Sequence, residues 1–471
     1  MFPMKKLTDY IYRAASVILT VCVLLLAVAC EDEKVEQVFD KSSAERSAES
    51  IRDVREQLKA SEHGWTVSYK PSKEETGYYQ FVFRFLADSV VQAASDFSQE
   101  DLTLKPSTYD VVQGSTTKLS FTTNSALHKL SDSNFSPIPG ATGSGLKGDF
   151  EFLYYGTTDA GDMIFRTNRT QDTVIFKKAT ATSLADLTAA YDNIGRITAG
   201  RSVYRALEET KGAAVTRSAF DFPYDARVIS IRSVIETDVE GEIVTSLDEG
   251  YTIGYGFTPT GIFVDSIKLS NGRIIKHPEF TYNEDEQRFT TTLSDGTVLA
   301  IGDVNSPIVP VDGQKYILDP TLTYNLTFYF GDPDLGSLTT PAFEELYLNA
   351  APLGLTANFT LWPKLLFNGT PIDYFAFPGT GSVVNSTIRQ LIIFEDKGDR
   401  LVLHDNGFRD ANSVVKPENQ AYYDLLADVL LDPEGFYVEN LGRYTRYSNL
   451  VFTFTSVKDP SLRFALYHSA P

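Results

Sequence analysis

Cys30 is the side chain whose neighbours most clearly specify a reaction. Lys5, Lys6 and Arg13 form a basic leader, residues 16–29 form an apolar run, and small residues precede the thiol. This pattern predicts a lipoprotein signal cleaved before Cys30, whose sulfur and newly freed amine then carry acyl chains, palmitate among them. A spanning helix needs about 20 apolar residues, more than this run supplies. Each buried methylene contributes roughly 0.8 kcal/mol, so several acyl chains make a durable anchor. Cys22 leaves with the leader, and no thiol then remains for a disulfide, a thiolate metal site or a nucleophile.

The other chemistry-bearing residues form no motif. His63, His128, His277, His404 and His468 are scattered, and none pairs at i, i+4 around a glutamate as a zinc-protease helix requires. Ser115 and Lys118 have Ser-x-x-Lys spacing, but that geometry needs a helix, and Lys118 leads into the alternating run Leu119-Ser120-Phe121. Gly143-Ser144-Gly145 lacks the Lys-Ser/Thr of a phosphate loop. Asp332-Pro333-Asp334-Leu335-Gly336 begins like a calcium loop, yet its third ligand and glycine spacing fail, which predicts a solvated turn. No catalytic residue, metal ligand or cofactor site is predicted. A glycosidase pair of carboxylates, about 5 to 9 Å apart, leaves no sequence signature, so a carboxylate-dependent hydrolase stays open.

The chain has 25 tyrosines, 31 phenylalanines and 2 tryptophans, most of them alternating within apolar runs as core. Those outside such alternation are candidates for a ligand-stacking surface: Trp362 before Pro363, and Tyr437, Tyr444 and Tyr447 beside Arg443 and Arg446. Asp88-Ser89-Val90, Asp172-Thr173-Val174 and Asp265-Ser266-Ile267 resemble the short O-glycosylation acceptor motif of Bacteroidota, making Ser89, Thr173 and Ser266 candidates that strand burial is expected to block.

Loss of the leader takes the net charge from −20 to −22. Such a surface repels phosphate backbones, which argues against a nucleic-acid partner.

The elements that must position these residues follow from periodicity. Ser42 and Glu45 have capping-box spacing, and Ala44, Ala48, Ile51, Val54 and Leu58 form a helical stripe that Gly64 ends. From Trp65 the period becomes 2. Trp65, Val67 and Tyr69, then Tyr79, Phe81, Phe83 and Phe85, begin a series of short strands reaching residue 177, followed by a helix at 183–197. Such a series predicts an antiparallel meander closing into a barrel or a strongly curved sheet. Residues 204–222 lack a clear period and are taken as a boundary. A second strand series covers 228–301, with Asn271-Gly272 and Asp295-Gly296 as hairpin turns. Beyond Pro307, strands near 322–330, 389–404 and 450–467 mix with helices near 343–349 and 418–431. The predicted class is mainly β, all-β to α+β. The predicted domains are a leader 1–29, an acidic tether 30–41, a helix-plus-meander domain 42–200, an antiparallel β domain 223–305, and an α+β region 306–471 that joins the preceding domain or stands apart.

The run Val38-Phe39-Asp40-Lys41-Ser42-Ser43-Ala44-Glu45-Arg46, followed by His63-Gly64-Trp65-Thr66-Val67-Ser68-Tyr69, resembles a family of Bacteroidota lipoproteins known only as domain of unknown function 4302. Residues 78–85, Ser107-Thr108-Tyr109-Asp110, Leu119-Ser120-Phe121 and Gly148-Asp149-Phe150-Glu151-Phe152 extend the likeness, which is strongest over 36–191. Glu31-Asp32-Glu33 behind the cysteine resembles the export signal that sends such lipoproteins to the outer face of the outer membrane. The resemblance implies a cell-surface location and a nutrient-uptake setting, beside an importer and capture lipoprotein of the starch-utilisation type. It implies no mechanism. The expectation is a non-catalytic accessory that helps capture a polymer, glycan or peptide. The alternatives are a hydrolase of that polymer or a structural subunit of the importer complex.

Overall fold

The computed structural model describes residues 13–18, 40–134, 143, 145–200, 202–221, 226–319, 325–328, 332–350, 359–367, 369–377, 388–409, 424, 427–445 and 448–469. Cys30, the acidic residues behind it, Ser144, Arg446 and Tyr447 lie outside the described residues, as does most of the helix expected at 418–431.

The chain divides into two compact units, Met1–Asp53 and Val54–Pro471, and helix α1 (Ser43–Ala60) crosses the division. In the first unit the capping box forms: the Ser42 amide donates to Glu45 Oε2 at 2.8 Å, and the Glu45 amide donates to Ser42 Oγ at 3.3 Å. Lys41 reaches Glu49 at 2.6 Å. Ala44 and Ala48 of the expected stripe are exposed. In the second unit Val54 and Leu58 are buried, and Trp65 Nε1 donates to the Leu58 carbonyl at 2.8 Å.

Strands β1 to β8 lie between Trp65 and Lys178 and form a closed antiparallel barrel. The first strand, β1 (Trp65–Tyr69), pairs both β2 (Tyr79–Ala87) and β8 (Thr173–Lys178), with Val67 opposite Phe81 on one side and Phe176 on the other. The period-2 residues fill the interior. Phe83 stacks on Phe81 with centroids 5.5 Å apart and meets Phe121 at 4.8 Å and Phe176 at 5.8 Å. Val82 points the other way and is buried too, because helix α3 (Ser183–Thr198), which follows the short α2 (Ala126–Lys129), lays Leu187 against Val82 and Ala94. One turn on, Ala190 of α3 packs into the core of the next sheet, and Asn193 Nδ2 donates to the Thr258 carbonyl at 2.9 Å. The helix expected to end the first domain therefore serves both.

Strands β9 to β19 lie between Tyr204 and Val304. Nine of them form one sheet, and β10 (Ala214–Asp221) at one end also pairs β11 (Val228–Val239), the last strand but one at the other, so that eight strands make a closed ring with β12 (Glu242–Leu247) left outside it. Residues 204–222, read from sequence as a boundary, instead hold β9 (Tyr204–Lys211) and β10, a hairpin turning at Gly212, where φ is +62°. The alternation was hidden by charge. Glu208 sits in the strand, only 7% exposed, between Arg217 at 2.7 Å and Arg288.

That pairing makes a pH prediction. Burial raises the Glu208 carboxyl, but the hydrogen bonds and charges of Arg288 and Arg217 outweigh it and leave it below its ordinary value. A carboxyl with a depressed folded pKa stabilises fully above its unfolded value of about 4.3 and loses that contribution as the pH falls through the folded value. Glu208→Gln is expected to lower the melting temperature at pH 7 and to flatten its decline in acid below about pH 4.3. Calorimetry at stepped pH checks this, and equal acid slopes in both proteins refute it.

Strands β20 to β27 lie between Asn325 and Ser469 and close a second eight-stranded barrel, where sequence suggested a sheet with two covering helices. Phe464 meets Phe343 at 4.6 Å and Phe454 at 5.3 Å in its core. The calcium-like loop is a capped turn: Asp332 accepts from the amides of Asp334 and Leu335 at 2.9 and 3.0 Å.

Two joints tie these sheets together. At the first, Arg227 Nη1 donates to Asp96 Oδ2 and to the Tyr78 carbonyl, each at 2.8 Å, and Nη2 donates to the Asp96 carbonyl at 2.7 Å. The guanidinium lies 4.2 Å from the Tyr79 ring centre. At the second, Tyr204 meets Tyr437 edge-on at 5.9 Å, and the Val203 amide donates to the Pro460 carbonyl at 3.1 Å.

Candidate functional site

A cavity of about 350 Å3 opens where two strands of the ring part. β10 pairs β11 from Asp221↔Ser230 to Ser218↔Ser233, and past Ser218 it follows β9 alone. Thr216, Arg217 and Ser218 line one side of the gap and Ser233 and Val234 the other, over a floor of Leu207, Leu269 and Leu299. The hairpin of β15 (Ser266–Lys268) and β16 (Ile274–Lys276) overhangs it, turning at Asn271-Gly272 as the sequence predicts. An apolar floor with a few convergent polar groups is the usual make-up of a ligand pocket.

Both acids in the wall are committed to backbone. Glu209 Oε2 accepts from the Ser270 amide at 2.8 Å, which pins the overhanging hairpin to β9. Asp248 Oδ1 accepts from the Ser233 amide at 2.7 Å, which ties β11 to the residues leading into β13 (Tyr251–Thr258). Tyr251 Oη accepts from the Lys268 amide at 3.1 Å and donates to the Lys268 carbonyl at 3.4 Å, and burial holds its hydroxyl above the ordinary value, so it stays protonated at neutral pH. The wall thus presents Thr216, Ser218, Ser233 and Ser270 together with Tyr251 and Lys268, while Arg217 is held by Glu208 on the other face of the strand.

A second cleft, of about 340 Å3, lies between the first barrel and the ring. Two of its charges pair with each other: Asp265 accepts from Lys70 and from the Tyr78 hydroxyl, both at 2.5 Å, and from the Gly254 amide at 3.1 Å. That arrangement fastens the joint. Among the described residues no cluster of three or more His, Asp, Glu or Cys side chains has metal-site geometry, and no helix is long and apolar enough to cross a membrane.

Of the aromatics singled out from sequence, the described ones, Trp362, Tyr437 and Tyr444, line neither space. Tyr437, in β25 (Phe436–Arg443), is buried at the second joint. Trp362, in β21 (Thr360–Phe367), stacks on Tyr374 at 6.0 Å and 10°, and its Nε1 donates to Thr360 Oγ1 at 2.8 Å. Both stand in strands after all. A register shift between Trp362 and Leu365, across Pro363, broke the alternation in β21, as a shift between Asn440 and Arg443 did in β25. Arg443 is exposed, while Tyr444 is half-buried against Leu335, Val451 and Ala465 with its hydroxyl 3.3 Å from Ser337 Oγ. The expected strand burial of the acceptor sites fails for Ser89, exposed in the turn after β2, and for Thr173, exposed at the start of β8 beside the second cleft; Ser266 is half-buried.

The family described as "Domain of unknown function (DUF4302)" matches residues 35–284, more than half of the chain. The chain belongs to this family. The DUF4302 match takes in the first barrel, α3 and most of the ring, and every residue lining the cavity except Leu299 falls within it. Among curated proteins none matches. Among solved structures, DNA polymerase III subunit beta from Borrelia burgdorferi in complex with a natural product aligns at 9% identity, with 90% of this chain and 98% of that chain covered and a TM-score of 0.15, which carries no argument.

Sequence reasoning missed the cavity for a definite reason. Glu209, Thr216, Arg217 and Ser218 stand in the stretch that read as aperiodic, and their convergence with Tyr251 and Ser270 depends on ring closure. The one local signal was Asn271-Gly272, which marks the overhanging hairpin.

Proposed function

We propose that the chain is a non-catalytic accessory lipoprotein, anchored through Cys30 on the outer face of an outer membrane, that holds a unit of a glycan for an importer and its capture lipoprotein. The supporting observation is the ring cavity, with four hydroxyl side chains, a protonated tyrosine and the Lys268 cation above a leucine floor. Hydroxyls and a tyrosine ring over an apolar base match the alternating polar rims and apolar faces of sugar rings better than they match an extended peptide. The two wall acids accept from backbone amides, which suits positioning better than proton transfer.

Calorimetric titration of the full chain with a panel of neutral and acidic oligosaccharides tests the reading. One class is expected to bind, and Tyr251→Ala to weaken it about tenfold, or about 1.4 kcal/mol. Undiminished binding by the variant removes the cavity from the account. Binding of peptides alone removes the glycan, and cleavage of the bound oligosaccharide removes the word non-catalytic.

A further inference from the structure

One hairpin outgrows the ring. β11 pairs β13 from Val228↔Gly254 to Ile231↔Tyr251, then pairs β12 (Glu242–Leu247) from Val234↔Leu247 to Val239↔Glu242. The register slips by one residue between the two pairings, so β12 and β13 are one strand interrupted by a bulge at residues 248–250. Gly250 makes the bulge possible: its φ is +73°, and a Cβ there would lie 2.3 Å from the Ile231 carbonyl oxygen. Past the bulge, residues 234–247 form a two-stranded arm turning at Glu240 and Gly241, both at positive φ. Among the described residues no third strand pairs the arm on either edge. A bare two-stranded ribbon is marginal in water, and open strand edges invite another strand.

The side chains along the free edge of β11 sort by face. Ile235, Thr237 and Val239 point one way, with Val244 and, at the turn end, Glu242 of β12 beside them; Ile235 is 41% exposed, Val239 51% and Val244 44%. Val234, Glu236 and Asp238 point the other way, with Ile243 of β12, 63% exposed, directly across from Asp238. Every charge from residue 234 to residue 247 is acidic: Glu236, Asp238, Glu240 and Glu242. A second copy of the arm would bring acids against acids. A strand that alternates lysine or arginine with β-branched residues would place its cations across from Glu236 and Asp238 and its apolar side chains beside Ile235 and Val239.

We propose that the arm is a docking strand for a partner protein, pairing the open edge of β11 with an extended, basic and β-branched segment of that partner. Main-chain hydrogen bonds would supply affinity, and the alternation of charge and apolar contact would supply register. The inference does not rest on the ligand of the cavity.

The test is fluorescence anisotropy of the full chain with a labelled Lys-Val-Lys-Thr-Lys-Val-Lys peptide, against a Glu-for-Lys version and a block-scrambled version with all lysines together. The alternating peptide is expected to bind and to weaken as salt rises. The double variant Glu236→Lys with Asp238→Lys is expected to lose at least tenfold, and Glu236→Pro, which removes a main-chain donor from the free edge, to weaken binding more than Glu236→Gln, which removes the charge alone. Oligosaccharide titration of the double variant should match the parent chain, which keeps failure of this proposal distinct from failure of the cavity reading. Absence of binding, equal binding of the scrambled peptide, or undiminished binding by the double variant and by Glu236→Pro overturns strand addition. Arm-dependent dimers in sedimentation would make a second copy the occupant and overturn the basic partner.

Discussion

Arg227→Met is expected to destabilise the folded chain by about 3–5 kcal/mol, because it breaks a fully buried ion pair. Arg227 and Asp96 are both essentially inaccessible to water, with 2% and 0% of their side chains exposed. Burial works against the guanidinium's charge, and the Asp96 carboxylate overcomes it and holds Arg227 protonated. Methionine fills similar space but leaves Asp96 without its cation and leaves the Tyr78 and Asp96 carbonyls without donors. An uncompensated buried carboxylate costs more than the intact pair contributes, so the double variant Arg227→Met with Asp96→Asn should recover part of the loss. Urea unfolding followed by Trp65, in a Trp362→Phe background that silences the other tryptophan, reports on the first barrel. A shift below about 1 kcal/mol in the single variant would mean that the joint is held by other contacts.

Phe83→Ala should cost a comparable amount, about 3–5 kcal/mol, by a different mechanism. Phe83 is 1% exposed and touches the rings of Phe81 and Phe85 on its own strand and of Phe121 and Phe176 on two other strands of the barrel. Barrel closure through β1 and β8 leaves those walls little freedom to collapse into the void. Phe83→Leu should lose less, because it keeps most of the volume. The same urea titration measures both, and equal losses for the alanine and leucine variants would show that the site relaxes around any change.

The first barrel was the most legible part of the chain. Phe81, Phe83 and Phe85 face inward with uncharged or singly charged neighbours between them, so period 2 survives in the sequence. Legibility falls where strands carry paired charges or irregularities. Glu208 and Arg217 looked like linker residues because each is neutralised by a strand neighbour distant in sequence or across a hairpin, and Pro363 made Trp362 look like a loop residue although a bulge holds it in β21. Tyr437 illustrates the same limit for function: position outside a visible pattern suggested a surface, and the joint with Tyr204 buries it.

By itself the sequence determined the mainly antiparallel class, the capping box at Ser42, the hairpin turns at Asn271-Gly272 and Asp295-Gly296, and membership in a family without an assigned activity. These rest on interactions between residues close in the chain, or on alternation that any single strand displays. Only the tertiary structure decided that the middle sheet closes through β10 and β11, that α3 is shared between two sheets, that a cavity opens where those strands part, and that an acidic arm continues past the rim. Each of these depends on which distant strands pair and in what register, and that choice is set by ring closure and long-range charge pairing, which no local window of sequence contains.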